Sequence, residues 1–138
     1  MLADVFFDTD ILVYAVTEGD PRSARAEELL AAGGVLSVQI LNEFVSVARR
    51  KMSMPWSDVV EALDAFRVLC PSPLPITIEM HEAALEIAEK HGYSIYDALV
   101  IAGALESGCT TLLSEDLQDG RTIDGRLTIR NPFVQSFG

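Results

Sequence analysis

The chain has 138 residues, of which 49% are hydrophobic and 22% charged, a composition that fits one globular domain and excludes intrinsic disorder. Ten Lys and Arg against 21 Asp and Glu give a net charge of −11, which argues against a protein that grips nucleic acid by bulk charge. The same charge is compatible with an enzyme that meets phosphates through bound divalent cations. We therefore predict one acidic domain over residues 1–138.

The sequence also carries features that bear on location. Two cysteines, Cys70 and Cys109, are too few for a disulfide framework and are typical of a reducing cytosol. No stretch approaches the roughly 18 apolar residues of a membrane-spanning helix, and the start of the chain lacks the basic residues of a secretory signal. We expect a soluble cytoplasmic protein that does not associate with membranes.

Strand and helix patterns alternate in the first half of the chain. A short apolar run ends at an acidic cluster, and a Gly-Gly pair separates the second helix from the next apolar run. The predicted elements are a strand at 5–7, a helix from residue 11, a helix from residue 21 to about residue 32, a buried strand at 35–38 and a helix at 39–51.

The second half continues the alternation. The predicted elements are a helix from Pro55 with Trp56 in the core, a proline-rich loop at 71–75, a brief edge segment at 76–78, an amphipathic helix ended by Gly92, a helix capped by Ser94, and strands at 110–113 and 127–129. The helix after Ser94 is apolar almost all round, which is typical of a buried central helix. Together the elements predict a three-layer α/β/α sandwich around a mostly parallel sheet.

Four acidic residues lie near the ends of these elements. Asp8 closes the first strand, Asp116 follows the strand at 110–113, Asp97 lies in the first turn of the central helix, and Glu43 interrupts an apolar helix. In parallel α/β sheets the working groups gather beyond the carboxyl ends of the strands, so the four carboxylates can converge on one pocket. Converging carboxylates call for a hard cation such as Mg²⁺ or Mn²⁺, which points to phosphodiester hydrolysis.

Each of these residues also has a plainer interpretation. Ser94 and Asp97 form a capping box, which stabilises a helix start without any chemistry. Aspartate is common in turns and loops, so Asp8 and Asp116 are also compatible with a purely structural role. Glu43 is compatible with a position on a solvated helix face. The basic run 49–51 is either a favourable helix C-terminus or a patch that positions phosphates. His81 and His91 are isolated, so zinc-type spacing is absent.

Taken together, four motifs in order resemble those of PIN-domain ribonucleases, the toxins of VapBC-type toxin–antitoxin pairs. The motifs are FDTDILVYA at 7–15, LNEF at 41–44, SIYDAL at 94–99 and LSEDLQDG at 113–120. The resemblance implies that Asp8, Glu43, Asp97 and Asp116 hold Mg²⁺ or Mn²⁺ and organise the attacking water. It also implies supporting positions at Ser114 and Asp119. Asp10 stands where the family usually has asparagine.

The resemblance further implies a metal-dependent endoribonuclease toxin with an RNA substrate, tRNA or another structured RNA. The partners it implies are a VapB-like antitoxin that covers the site and a second copy in a homodimer. Two alternatives remain open at this point. The run 6–10 is similar to the DxD start of haloacid-dehalogenase-like phosphatases, with Asp8 as nucleophile, although Ile11 replaces their usual glycine. The other alternative is a non-catalytic PIN-like binding module.

Overall fold

The computed structural model describes residues 4–134, which form six helices and four strands. One strand comes first, the six helices follow one another, and three strands come last, so strands and helices do not alternate along the chain as the sequence predicted. The helices are α1 (Thr9–Ala15), α2 (Arg22–Ala31), α3 (Val38–Arg50), α4 (Trp56–Leu69), α5 (Ile78–His91) and α6 (Ile95–Glu106). The strands are β1 (Val5–Phe7), β2 (Thr111–Leu113), β3 (Thr122–Ile123) and β4 (Leu127–Arg130).

The four strands form one sheet in the order β1-β2-β4-β3. Strand β2 lies parallel to both β1 and β4, with Phe6 opposite Leu112 and Leu112 opposite Ile129, and only β3 runs antiparallel to its neighbour. The predicted α/β architecture with a mostly parallel sheet is confirmed. Because β1 and β2 are parallel neighbours, the residues that follow them emerge at the same edge of the sheet.

The core is built around β1 and the central helix α6. Phe6 and Phe7 are fully buried, so this strand is covered on both of its faces. Six residues of α6 are buried, as its all-round apolar sequence predicts. A Cβ atom added at Gly103 would lie 3.2 Å from the Phe6 ring, so glycine lets α6 pack closely on β1. This packing fixes the start of α6 relative to the end of β1.

The predicted strand at 35–38 is confirmed only in part, and the predicted edge segment at 76–78 is wrong. Val35 and Ser37 form single parallel bridges with Phe6 and Leu74, but α3 already begins at Val38. In the segment 76–78, Thr77 is the N-cap of α5 and Ile78 its first residue. The physical reason is the same in both places: the Ser37 and Thr77 side chains accept hydrogen bonds from the backbone N–H groups of Ile40 and Met80 and begin a helix there.

The prediction that Trp56 lies in the core is also wrong, since its side chain is 58% exposed at the start of α4. The Arg49 guanidinium covers the ring, 4.5 Å from its centroid. Within residues 4–134, no helix has the length and apolar character needed to cross a bilayer. Both cysteines are buried free thiols, as their small number predicts.

Candidate functional site

An open pocket of about 520 Å³ lies at the edge of the sheet where β1 and β2 end. All four acidic residues singled out from the sequence line it: Asp8, Glu43, Asp97 and Asp116. Asp10 lines it as a fifth carboxylate. Carboxylate oxygens of Asp8, Asp10 and Asp116 all lie within 4.8 Å of one another, so three acids form a tight cluster at one side of the pocket.

Asp8 is positioned by the transition from β1 to α1. It follows the last residue of the strand and serves as the N-cap of the helix, where its Oδ1 accepts a hydrogen bond of 2.7 Å from the Thr9 backbone N–H. Its Oδ2 accepts a hydrogen bond of 2.8 Å from the Ser114 hydroxyl. With both oxygens engaged and only 7% of the residue exposed, Asp8 has one fixed orientation at the bottom of the pocket.

Ser114 connects this acid to the loop after β2. While the fully buried hydroxyl donates to Asp8, it accepts hydrogen bonds from the backbone N–H groups of Asp116 (3.2 Å) and Leu117 (3.1 Å). The loop therefore turns around Ser114 and directs Asp116 toward Asp8. The supporting position predicted at Ser114 lies where it can perform that role.

Asp10 holds the same loop from the other side. Its Oδ2 accepts hydrogen bonds from the backbone N–H groups of Glu115 (2.7 Å) and Asp116 (3.3 Å). Its Oδ1 is buried and has no hydrogen-bond partner among the described residues. A buried carboxylate oxygen without a donor is costly unless something else binds it.

Glu43 is held by two neutral side chains that the sequence reasoning missed. The Thr9 hydroxyl donates to one carboxylate oxygen at 2.6 Å, and the Gln39 amide donates to the other at 3.1 Å. Gln39 also donates to the Tyr96 carbonyl at the start of α6. Both donors are at most 8% exposed, so the hydrogen bonds that orient Glu43 are largely shielded from solvent. The signal available in the sequence was the spacing of four between Gln39 and Glu43 on one helix.

Asp97 forms only half of the capping box that its sequence suggests. Ser94 accepts a hydrogen bond of 3.1 Å from the Asp97 backbone N–H, which begins α6. The second bond of a capping box, in which the Ser94 backbone N–H would donate to the Asp97 carboxylate, is absent from the hydrogen bonds of residues 4–134. The carboxylate instead lines the pocket, so helix capping alone does not account for an acid at this position.

Two further acids near the pocket have other partners. Asp119 does not line the pocket, and its carboxylate accepts a hydrogen bond of 2.8 Å from the Asn131 backbone N–H after β4. Glu115 accepts a hydrogen bond of 2.5 Å from the Tyr14 hydroxyl and pairs with Arg22 at 3.1 Å. This second contact joins α1 and α2 to the loop that carries Asp116.

The crowding of acids changes their acidity. Burial, reinforced by the charges of Glu43 and Asp116, raises the pKa of Asp8 to about 6, although hydrogen bonds from Ser114 and Thr9 oppose the rise. Burial and the neighbouring charge of Asp8 raise the pKa of Asp10 to about 7. Among the ion pairs of the described residues, none includes any of the five pocket carboxylates. No Lys, Arg or His nitrogen of the described residues therefore lies within 4 Å of these carboxylates, although Arg50 and Lys51 also line the pocket.

The donor set fits a hard divalent cation. Every clustered ligand atom is a carboxylate oxygen, which is what Mg²⁺ and Mn²⁺ prefer. The partnerless Asp10 Oδ1 and the unpaired charges are the features that a bound cation would satisfy.

Comparison with known proteins gives one family match. A model of the PIN domain matches residues 5–119, which is most of the chain. No curated protein matches the chain in a sequence search. The matched residues include every acid that lines the pocket.

Several solved structures share the fold. One is the toxin VapC20 of Mycobacterium tuberculosis, which cleaves the sarcin–ricin loop; it is 25% identical with a TM-score of 0.61, covering 78% of this chain and 86% of that one. VapBC2 of Rickettsia felis, bound to a DNA fragment from its promoter, is 21% identical with a TM-score of 0.66, and the match covers 92% of this chain and 97% of that one. A toxin–antitoxin complex from Klebsiella pneumoniae is 18% identical with a TM-score of 0.70, and the match covers 94% of this chain and 98% of that one. At their identities the last two support the fold alone.

Proposed function

Since this chain belongs to the PIN domain family, we propose that it is a metal-dependent endoribonuclease, the toxin of a toxin–antitoxin pair that acts in the cytoplasm. One observation carries the proposal: five carboxylates without basic partners line one pocket, and three of them lie within 4.8 Å. A protein gains no stability from such a cluster, because like charges held close together repel. A cation that also binds a phosphate explains why the acids are kept together.

The residues that would hold Mg²⁺ or Mn²⁺ are Asp8, Asp116, Glu43 and Asp97, with Asp10 beside them. When bound, the ion supplies Lewis-acid stabilisation of a phosphoryl oxygen and lowers the pKa of a water molecule. Ser114 and the Thr9 backbone fix both oxygens of Asp8, so this carboxylate does not have to reorganise when substrate arrives. Thr9 and Gln39 likewise donate to both oxygens of Glu43 and so orient this second carboxylate in the same pocket.

The proposed partners follow from the same pocket. The acidic, open site suits a basic side chain from an antitoxin, which would neutralise the carboxylates and block phosphate entry. A toxin–antitoxin complex from Klebsiella pneumoniae shares the fold, so a partner of this kind is compatible with it. We also propose a homodimer of one-domain subunits, which light scattering of the purified chain tests.

The direct test is cleavage of total cellular RNA in Mg²⁺ or Mn²⁺ by wild type, Asp8→Asn and Asp97→Asn. Each substitution removes one charge at nearly constant shape. We expect discrete products from wild type that disappear with EDTA and in both variants. Asp64→Asn is the matched control, because Asp64 is an exposed acid of α4 that does not line the pocket. It should cleave as wild type does.

Two results would overturn the proposal. Absence of cleavage by folded, metal-loaded protein across varied RNAs would favour a non-catalytic binding module. Cleavage that persists in both pocket variants would show that the activity arises elsewhere. The phosphatase alternative predicts trapping of Asp8 by beryllofluoride, and membership of the PIN family leaves it without a supporting observation.

A further inference from the structure

Three consecutive cations end α3, and the structure separates them into two groups. Arg50 and Lys51 line the acidic pocket. Arg49 does not; its guanidinium stacks on Trp56 and donates a hydrogen bond of 2.7 Å to the Met54 carbonyl. The helix dipole favours a cation at all three positions, so it does not account for the two that border the pocket.

Within the described part of the chain, the two pocket cations form no ion pair although they line a pocket with five carboxylates. Of the chain's ten Lys and Arg residues, Arg22, Arg25 and Lys90 form ion pairs with acids among the described residues. Among the ion pairs of residues 4–134, none involves Arg50 or Lys51. Both side chains are exposed, so they are free to bind an anion that enters the pocket.

A nucleic-acid backbone must overcome repulsion to reach this site. The net charge of −11 repels phosphates at long range, and the carboxylates repel them inside the pocket. Bound cations reverse the sign only at the scissile phosphate, since the attraction of a small ion is local. The neighbouring phosphates need positive charge of their own, and the pocket lining offers it only at Arg50 and Lys51.

We propose that Arg50 and Lys51 bind the phosphates next to the scissile bond and so direct the RNA backbone along the end of α3. The inference rests on the proposed ribonuclease function and adds two residues that position the substrate. Asp8 is 7% exposed at the bottom of the pocket, whereas both cations are exposed, so they are available to phosphates that stay outside while the scissile one enters.

The test is binding of a short fluorescent single-stranded RNA of mixed sequence, in Mg²⁺, over a range of salt concentrations, to an Asp97→Asn parent that is expected not to cleave the probe. This parent is compared with the same protein carrying Arg50→Gln, Lys51→Gln or the matched control Arg49→Gln, which removes the same charge one position away. Loss of a phosphate contact should weaken binding about fivefold and reduce the slope of log affinity against log salt by about 0.7. Arg49→Gln should leave the slope unchanged, and Arg50→Lys should restore it.

The outcomes separate this inference from the proposed function. Equal effects of all three Gln substitutions would overturn the inference, because the cations would then act only through the overall charge. Unchanged RNA binding in the two pocket variants would overturn it as well. In both cases cleavage of total RNA by the wild-type protein would still support the proposed ribonuclease function.

Discussion

At the scale of single residues, neutral donors determine how the pocket acids point. Thr9, Gln39 and Ser114 are all buried, and each donates to a carboxylate that has no cationic partner. A basic residue in these places would neutralise the charge that a metal ion requires. Hydroxyl and amide groups orient the carboxylates and leave their charge available.

Thr9 allows this role to be tested with a substitution of nearly equal shape. Thr9→Val removes the hydroxyl that donates to Glu43 at 2.6 Å but keeps a β-branched side chain at the start of α1. We expect the affinity for Mn²⁺ to fall by about tenfold, because an orienting donor typically contributes 10- to 100-fold. Titration calorimetry with Mn²⁺ measures it directly.

Thr9→Ser is the matched control, since it keeps the hydroxyl and should bind Mn²⁺ within about twofold of wild type. If Thr9→Val bound Mn²⁺ as tightly as wild type, the contact with Glu43 would be incidental to the metal site.

Asp10 leads to a prediction about pH in the metal-free protein. Its folded pKa of about 7 lies above the ordinary value of 3.8, so the folded state binds more protons than the unfolded chain between these values. The free energy of unfolding therefore falls as the pH rises through this range. Asp10→Asn lacks the titrating group and keeps an oxygen for the Glu115 and Asp116 backbone N–H groups. In EDTA at about pH 8 it should be more stable than wild type by on the order of 2 kcal/mol.

Urea unfolding at several pH values measures the difference. The stability curves of wild type and Asp10→Asn should meet below about pH 4, where Asp10 is protonated in both the folded and the unfolded wild-type chain. They should separate steadily up to about pH 7. Parallel curves over this whole range would mean that burial and the charge of Asp8 do not raise the pKa of Asp10 in the folded protein.

The residue-scale signals in the sequence were uneven. The acids were visible because each interrupts or ends an apolar run, as Asp8 does after Phe7. Thr9 and Gln39 were missed because a buried neutral side chain has no distinctive pattern until its partner is known. Glu43 lies 34 residues from Thr9, and only the tertiary fold brings them together.

At the scale of elements, the sequence predicted long periodic helices well and short extended segments poorly. The helices α3, α5 and α6 follow their apolar spacing and their capping residues. Residues 35–38 and 76–78 were assigned to extended structure because they are apolar and β-branched. The capping hydrogen bonds accepted by Ser37 and Thr77 outweighed that local preference.

The segment before α3 depends on a glycine that touches β1. A Cβ atom at Gly34 would clash with the Phe7 ring and lie 2.9 Å from the Val5 carbonyl oxygen. Gly34→Ala should therefore lower the free energy of unfolding by about 3 kcal/mol through overpacking. It should also disturb the strand that ends at Asp8. Thermal or urea unfolding measures the loss.

Gly33→Ala is the control in the neighbouring position. Nothing lies within 4 Å of a Cβ atom there, and only its φ of +90° disfavours a side chain. Its cost should be about 1 kcal/mol, the strain of one residue in that conformation. Equal losses at the two glycines would indicate that backbone strain, and not contact with Phe7, limits this segment.

At the scale of the whole molecule, the excess of acid is concentrated where it does not stabilise the fold. Five of the chain's 21 acidic residues line one pocket, and burial makes two of them hard to ionise. A divalent cation that binds the folded state stabilises it by mass action. At about 100 times its dissociation constant this amounts to about 2.7 kcal/mol. For a domain of this size the melting temperature should rise by about 8 °C.

The pH dependence of that rise distinguishes specific binding from screening. At about pH 8, above the pKa values of Asp8 and Asp10, both of these carboxylates are charged, and Mg²⁺ or Mn²⁺ should give the full shift. At about pH 5 protons occupy Asp8 and Asp10, whose pKa values are about 6 and about 7, and the shift should be much smaller. Asp8→Asn should lose most of the shift at the higher pH. A similar rise from NaCl at equal ionic strength would contradict the metal site, because simple screening of a net charge of −11 would then explain the stabilisation.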